Sequence, residues 1–595
     1  MILQSLVHLY DELSRQGKVA RAGWGIAKIS HRLIINDSGK LMGVVSARKK
    51  VIRGKKEREI PNEMVVPLPV SRSSGVKANF LFDSSSYLLG VDDKGKPERT
   101  RQCFEAAKEL HHHLLEHCTS PEARAILAFF DSWEVENARN YEAVANNLDD
   151  ILAGSFFLFQ VNGTDATEVP EIREVWEEYY RKEATPVDES DSGTCLVTGK
   201  ENQPIMVIHP KIKGVRGAQS SGAALVSFNG DAFCSYGHDG EQGKNAPVSV
   251  EAAQAYGTAL NYLLSDDKHH KVCGDTTVVY WAEHGEDACA EVFTGMMGDD
   301  SRIEDKDLDD IISHIKQGKL VDLKGITIDP EEPFYILGLA PSAARVSVRF
   351  FLRNSFGNVI KSLAAHHERM KICHAEWEKD RIPFWQILKA TANPHSKDGA
   401  SSPLLAGRLM VSLFNNTRYP EAVYQNIIRR IYSDRDEDDK GIKKISYVKA
   451  AFIKASLLKN YQKDWEGKIQ MAVNENCRDV SYVLGRLFAV LENIQQAANP
   501  NVNTTIKDRY FNSACATPAS VFPVLLKLTN AHLGKLEQPR AVFFKKKLGN
   551  LLDKIAMPDT GTPLPHRLTL DEQGAFVLGY YQETQERFAG KKEDK

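Results

Sequence analysis

The chain has no CxxC pair. Its nine cysteines are scattered, which argues against a zinc ribbon or a disulfide framework and gives the expectation of a reducing, cytoplasmic setting. No apolar run reaches the ~20 residues of a membrane span, and the first residues lack the basic-then-apolar order of a secretory signal. A large net charge is missing too. Lys and Arg number 76 against 79 Asp and Glu, a formal charge of −3. That excludes a wholesale polycation, while a local basic face balanced by acidic segments elsewhere stays possible. No nucleophile–base pair, complete metal set or nucleotide motif emerges, so the expectation is a non-enzyme without metal or cofactor. Catalytic groups lie far apart in many chains, so a metal-dependent nuclease using the scattered His and Asp residues remains a further reading.

What is present is an ordinary globular composition. Hydrophobic residues make up 42% and charged residues 26% of 595 positions, enough for two to four domains with real cores. The pattern is α+β. Leu3, Leu6, Val7, Tyr10 and Leu13 mark a first amphipathic helix. Strands are expected at Ile26–Ile35 and Leu41–Val45 across an Asn36–Gly39 turn. Helices follow over 98–118 and 120–148, the second capped by Ser120, then a strand over 151–162 and a helix over 168–183. Thr276–Ala282 reads as a buried strand, and the acidic stretch from Asp299 to Asp310 as an exposed loop that precedes a helix of Ile311, Ile312, Ile315 and Leu320. Phe334–Leu339 and Ala344–Asn354 read as paired strands. After Asn354 strand patterns vanish, and helices are expected near 476–498, 518–533, 538–556 and 569–588, a terminal bundle. The expected organisation is a mixed domain 1–355 with antiparallel strands and helices, a helical connecting region 356–470 and a helical bundle 471–595.

Four groups of residues suit an extended polyanion. The first is the basic run after Val45, with Lys49, Lys50, Arg53, Lys55 and Lys56, which reads equally as a solvated hairpin tip. The second is a Gly/Ser loop carrying Lys211, Lys213, Arg216, Gln219, Ser220 and Ser221. A short strand Ala223–Phe228, an Asn229–Gly230 turn and a second Gly-rich loop with Lys244 and Asn245 follow it. Flexible backbone, exposed amides and cations suit close approach to an anion or a nucleic-acid groove, and a pair of glycine-requiring hairpin turns is the bland alternative. The third is Arg345, Arg349 and Arg353, placed by alternation on one strand face with Phe351, opposite Val346, Val348, Phe350 and Leu352, an arrangement that equally suits salt bridges to neighbouring strands. The fourth is the helical lysines: Lys443, Lys444, Lys449, Lys454, Lys459 and Lys463, then Arg540 with Lys545, Lys546 and Lys547, to which Arg478 and Arg486 are added. Three decoys are set aside. Gly237–Lys244 has the wrong spacing for a phosphate-binding P-loop. His238–Asp239 lacks further ligands, and so do His113 and His117, four apart on one helix.

Several blocks, in order, carry a resemblance: MILQSLVHLYDEL, PLPVSRSSGVKANFLFDSSSYLLG, GAQSSGAALVSFNGDAFCSYG with NAPV and AYGTALNYLL, FYILGLAPSAARVSVRFFLRN, and YVLGRLFAVLENIQQAAN with DRYFNSACATPASVFPVLLKL. Together they resemble the large subunit of the type I-C CRISPR surveillance complex (Cascade), over nearly the whole chain. The resemblance implies a non-catalytic subunit of a crRNA-guided complex that reads the protospacer-adjacent motif on double-stranded DNA. It also implies help with R-loop formation and recruitment of a separate helicase-nuclease, with guide pairing reading the remaining sequence. The partners it implies are the target duplex, crRNA, and the backbone and crRNA-processing subunits. Small subunits resembling the terminal bundle complete the set. Lys211–Ser221, with Asn229 or Asn245 as further donors, is the expected motif reader. In this family the small subunit is commonly made from within the large-subunit message. Met471 opens the bundle, and Glu466-Gly467, encoded by a purine-rich GAR-GGN, lies three codons upstream, so Met471 is a candidate internal translation start. A scaffold subunit that does not read the motif is the alternative.

Overall fold

The computed structural model describes residues 1–53, 56–70, 75–154, 156–183, 192–228, 230–235, 237–238, 240–298, 303–323, 326–396, 403–500, 504–555 and 563–589. Lys55, Asn229 and Asp239 lie outside the described residues. The chain divides into two compact units. One comprises Met1–Lys211 and Val226–Tyr262, the other Ile212–Leu225 and Leu263–Lys595.

The first unit is built on the strand Trp24–Ile35. It pairs antiparallel with Leu41–Ser46 and Asn62–Pro67, and parallel with Phe156–Val161. The helices Pro97–Leu115, Pro121–Ser132 and Pro170–Glu183 cover it, and Phe80, Phe82, Phe129, Phe130, Phe157 and Phe159 fill the core. The expected helix over 120–148 stops at Ser132. A 3-10 turn, Val135–Asn140, and two short helices replace its second half, because Trp133 turns into the core and donates to the carbonyl of Leu89 at 2.9 Å. The Ser120 hydroxyl makes no cap bond. Glu171, from another helix, accepts instead from the N–H groups of Ser120 and Thr119 at 2.6 and 2.9 Å. These bonds hold its carboxyl down at about 2. The helix Pro97–Leu115 carries His111, His112 and His113, while His117 lies beyond its end, and His111 is the structural one. It is fully buried and accepts the N–H of Leu81 at 2.9 Å, whose φ of 67° needs holding. Burial lowers its pKa to about 4.

The second unit holds a six-stranded sheet in the order Lys211–Ile212, Ala223–Ala224, Arg345–Ser355, Pro333–Ser342, Thr276–Ala282, His270–Cys273. The expected strand Ala223–Phe228 shrinks to two residues, after which the backbone bends. The helix expected around Ile311–Ile315 starts earlier, at Asp305, and ends at Lys316, so it takes in the last part of the acidic stretch; residues 299–302 lie outside the described residues. Its aspartates occupy the exposed side while Leu308, Ile311, Ile312 and Ile315 face the core, and Asp305 and Asp307 stand in its favourable first turn.

From residue 356 onward helices dominate. The terminal region adds Ile506–Ala516 to the four expected helices, now Val480–Ala498, Pro518–Leu533, Gln538–Leu552 and Leu570–Ala589. One apolar core runs on both sides of Met471, through Ile453, Leu457 and Trp465 as well as Tyr482, Leu487 and Phe576. Val480–Ala498 and Leu570–Ala589 meet backbone to backbone. A Cβ on Gly485 would sit 2.0 Å from the Phe576 carbonyl oxygen, and one on Gly579 2.2 Å from that of Tyr482. Arg486, expected on a basic face, lies instead inside this contact at 1% exposure. It donates to Glu583 at 2.8 Å and to Glu475, and Lys547 and Lys554 complete the network. Removing Arg486 or Glu583, the two buried members, costs about 3–5 kcal/mol.

Candidate nucleic-acid interface

The polar loop of the second unit is built from alternating anchors and exposed groups. Ile212, Val215 and Ala223 are buried, whereas Lys213, Arg216, Gln219, Ser220 and Ser221 are exposed. Two tight turns hold this alternation: Ala218 N–H donates to Val215 O at 3.1 Å and Gly222 N–H to Gln219 O at 2.9 Å. Gly214, Gly217 and Gly222 take φ of 90°, 79° and 97°, the left-handed region that only glycine enters freely. The loop therefore keeps a defined shape while its polar side chains point to solvent.

The structure brings this loop to the turn between the two long strands. Ala224 bridges Arg345 in parallel pairing, and its N–H donates to Ala344 O at 3.0 Å. A Cβ on Gly217 would lie 3.3 Å from Pro341, and the Arg216 N–H donates to Thr277 Oγ1 at 3.1 Å. Lys213, Arg216, Gln219, Ser220, Ser221 and Arg345 thus gather at one end of the sheet, beside the turn between the long strands. Thr277 lies at that end and carries no signal in the sequence, since a threonine in a buried strand is ordinary.

The arginine comb is not a comb. Gly338 pairs with Phe350 and Leu339 with Val348, so Arg349 is the extra residue of a β-bulge. The alternation breaks there, and Val348 is 40% exposed instead of buried. Arg349 reaches Asp275 at 3.2 Å, a half-exposed pair worth about a kcal/mol or less. Arg353 lies over the Tyr335 ring, 5.8 Å from its centroid, and Phe351 stacks on the same tyrosine at 6.1 Å. Only Arg345 joins the polar loop.

The remaining residues fall elsewhere. In the first unit the basic run forms a hairpin, Lys49–Arg53 with Lys56–Ile60. Its register sets Lys50 against Glu59, Val51 against Arg58 and Arg53 against Lys56, and Lys49, Lys50 and Arg58 are exposed. Its base is fixed by Arg48, which shares Asp150 with His31 at 2.6 and 2.7 Å. The His31 and Arg48 bonds lower the Asp150 pKa. Lys211 is exposed and its carbonyl accepts from Asn261 at 3.1 Å. Lys244 and Asn245 are half-buried. Asn245 holds the second Gly-rich loop: its amide donates to His238 O and Gln242 O, both at 3.0 Å, and accepts from Ser235 N–H at 2.8 Å. Gly243 is there because a Cβ would strike the Met206 carbonyl oxygen at 2.0 Å, so this loop owes its glycine to packing. His238 meets Glu241 at 2.6 Å. Among the described residues no group of three or more His, Cys, Asp or Glu could hold a metal ion, and no helix is long and apolar enough to cross a membrane.

On the helices, burial sorts the cations. Lys444, Lys449 and Lys454 are buried at 7%, 5% and 4% exposure; Lys449 pairs with Asp434 at 2.7 Å and Lys454 donates to Arg369 O at 3.0 Å. Burial lowers the pKa of Lys444 and of Lys454 to about 8. Arg478, Arg540, Lys545 and Lys546 are exposed. Met471 is 58% exposed, and its carbonyl accepts from Cys373 N–H at 2.9 Å.

Residues 6–588 match the family described as CRISPR-associated protein (Cas_Csd1). The chain belongs to that family, the large subunit of type I-C Cascade. No curated protein matches it.

Proposed function

We propose that the chain is the non-catalytic subunit that reads the protospacer-adjacent motif on double-stranded DNA, promotes R-loop formation and helps recruit the helicase-nuclease. The observation that supports this reading is the grouping of Lys213, Arg216, Gln219, Ser220, Ser221 and Arg345 at one end of the sheet. These residues combine phosphate-seeking cations with small side chains and an amide that can enter a minor groove. Lys211 continues the same chain segment. The hairpin of Lys49, Lys50, Arg53 and Lys56 would hold flanking phosphates, and Lys545 and Lys546 would guide the duplex or displaced strand. Arg349, Arg353 and Asn245 take supporting roles in this reading. Residues 1–355 are read as the motif-reading part, 356–470 as a connection and 471–595 as the counterpart of the small subunit. crRNA, the backbone and crRNA-processing subunits and small subunits are the partners in this reading.

Substitution in the assembled guide complex tests it. Lys213→Ala, Arg216→Ala and Arg345→Ala should each weaken every duplex alike and lower the salt slope by about one. Gln219→Ala should instead narrow the gap between targets with and without the motif, by roughly tenfold. Unchanged affinity and discrimination in all four would leave the scaffold reading.

A further inference from the structure

We propose that Trp377 and the acidic surface beside it form a docking site for a protein partner whose own face is basic and offers an apolar pocket. The indole is 86% exposed, an unusual state for so large an apolar side chain. The loop presenting it is braced. Glu378 N–H donates to Ala375 O at 3.0 Å, and His374 lies 2.9 Å from Asp380. The Tyr447 hydroxyl donates to Lys379 O at 3.1 Å, while its ring packs on His374 at 4.7 Å. Little ordering entropy is left to lose on docking. A preorganised, solvent-exposed tryptophan has the properties of an interface anchor.

Charge selects the occupant. Arg381, at the end of the loop, reaches Asp309 at 2.5 Å and Asp305 at 3.5 Å, which sets the loop beside the helix Asp305–Lys316. That helix and its cap expose Glu304, Asp305, Asp307, Asp309 and Asp310. The loop exposes Glu376, Glu378 and Asp380 around the indole. Lys306, Lys316 and Lys379 are the exposed lysines of these two segments, fewer than the eight exposed acids, and Arg381 is mostly buried at 12% side-chain exposure. Such a surface repels a phosphate backbone and attracts a basic protein face. The site goes beyond the motif reading and does not depend on it.

The purified chain, alone and in the guide complex, is titrated with the backbone subunit, the crRNA-processing subunit and the helicase-nuclease, and in parallel with target duplex. Trp377→Ala and the pair Asp307→Lys, Asp310→Lys should each weaken the same protein association by about tenfold or more. Duplex affinity and motif discrimination should stay as they are. Undiminished binding of every protein overturns the proposal. So does a fall in duplex affinity with protein binding intact, which would give the surface to nucleic acid. Trp377→Ala should melt with the parent chain; if it melts lower, the charge-reversed pair decides.

Discussion

Six lysines line the sequence from Lys443 to Lys463, and burial alone separates those that can meet a partner from those that hold the fold. Lys454 is 4% exposed with its ammonium on the Arg369 carbonyl, and burial lowers its pKa to about 8. In the unfolded chain the group keeps its ordinary value near ~10.4. Between the two values the unfolded state binds the extra proton, so this contribution is full above the unfolded pKa and is lost as pH falls through about 8. Denaturant midpoints measured from pH 7.5 to 10 should therefore rise for the parent relative to Lys454→Met, by an amount on the order of 1–3 kcal/mol. A constant difference across that range would contradict the assignment. None of this was legible in the sequence. A lysine every five residues on a helix with an apolar side reads as surface, because the carbonyl that satisfies Lys454 lies on a helix far away in the chain.

At the scale of elements, periodicity was a good guide and irregularity was hidden. The paired strands at Pro333–Ser342 and Arg345–Ser355 follow from β-branched alternation, although Pro341 lies inside the first strand and the turn falls at Ala343–Ala344. The bulge at Arg349 has no such signature, and it undoes the arginine face that strict alternation implies. The helix of Ile311, Ile312 and Ile315 was legible, but its start at Asp305 was not: a run of aspartates reads as a solvated loop, yet at a helix start those charges are favourable. The terminal bundle was legible from its apolar spacing, except that Arg486 is interior. Its continuity with the preceding core bears on Met471. If the short product begins there, Met471→Leu should abolish it while the full-length chain is still made. A co-purified short product that persists would rule the internal start out.

For the whole molecule, the α+β character of the first half and the helical character of the second could be read from the alternation of strand and helix periods. The sharing of the Gly/Ser region between two units could not, because it depends on pairings such as Ala224 with Arg345 that no local pattern announces. Exposed cations lie on the polar loop, the basic hairpin and the terminal helices, and exposed acids on the helix beside Trp377, which is how a chain of formal charge −3 can serve both a polyanion and a basic protein. The central claim concerns the polyanion. The direct measurement is duplex binding by the guide complex assembled with and without this chain, on targets with and without the adjacent motif. The account predicts that discrimination between the two targets disappears when the chain is left out. Discrimination that survives its omission would assign motif reading to another subunit and contradict the account.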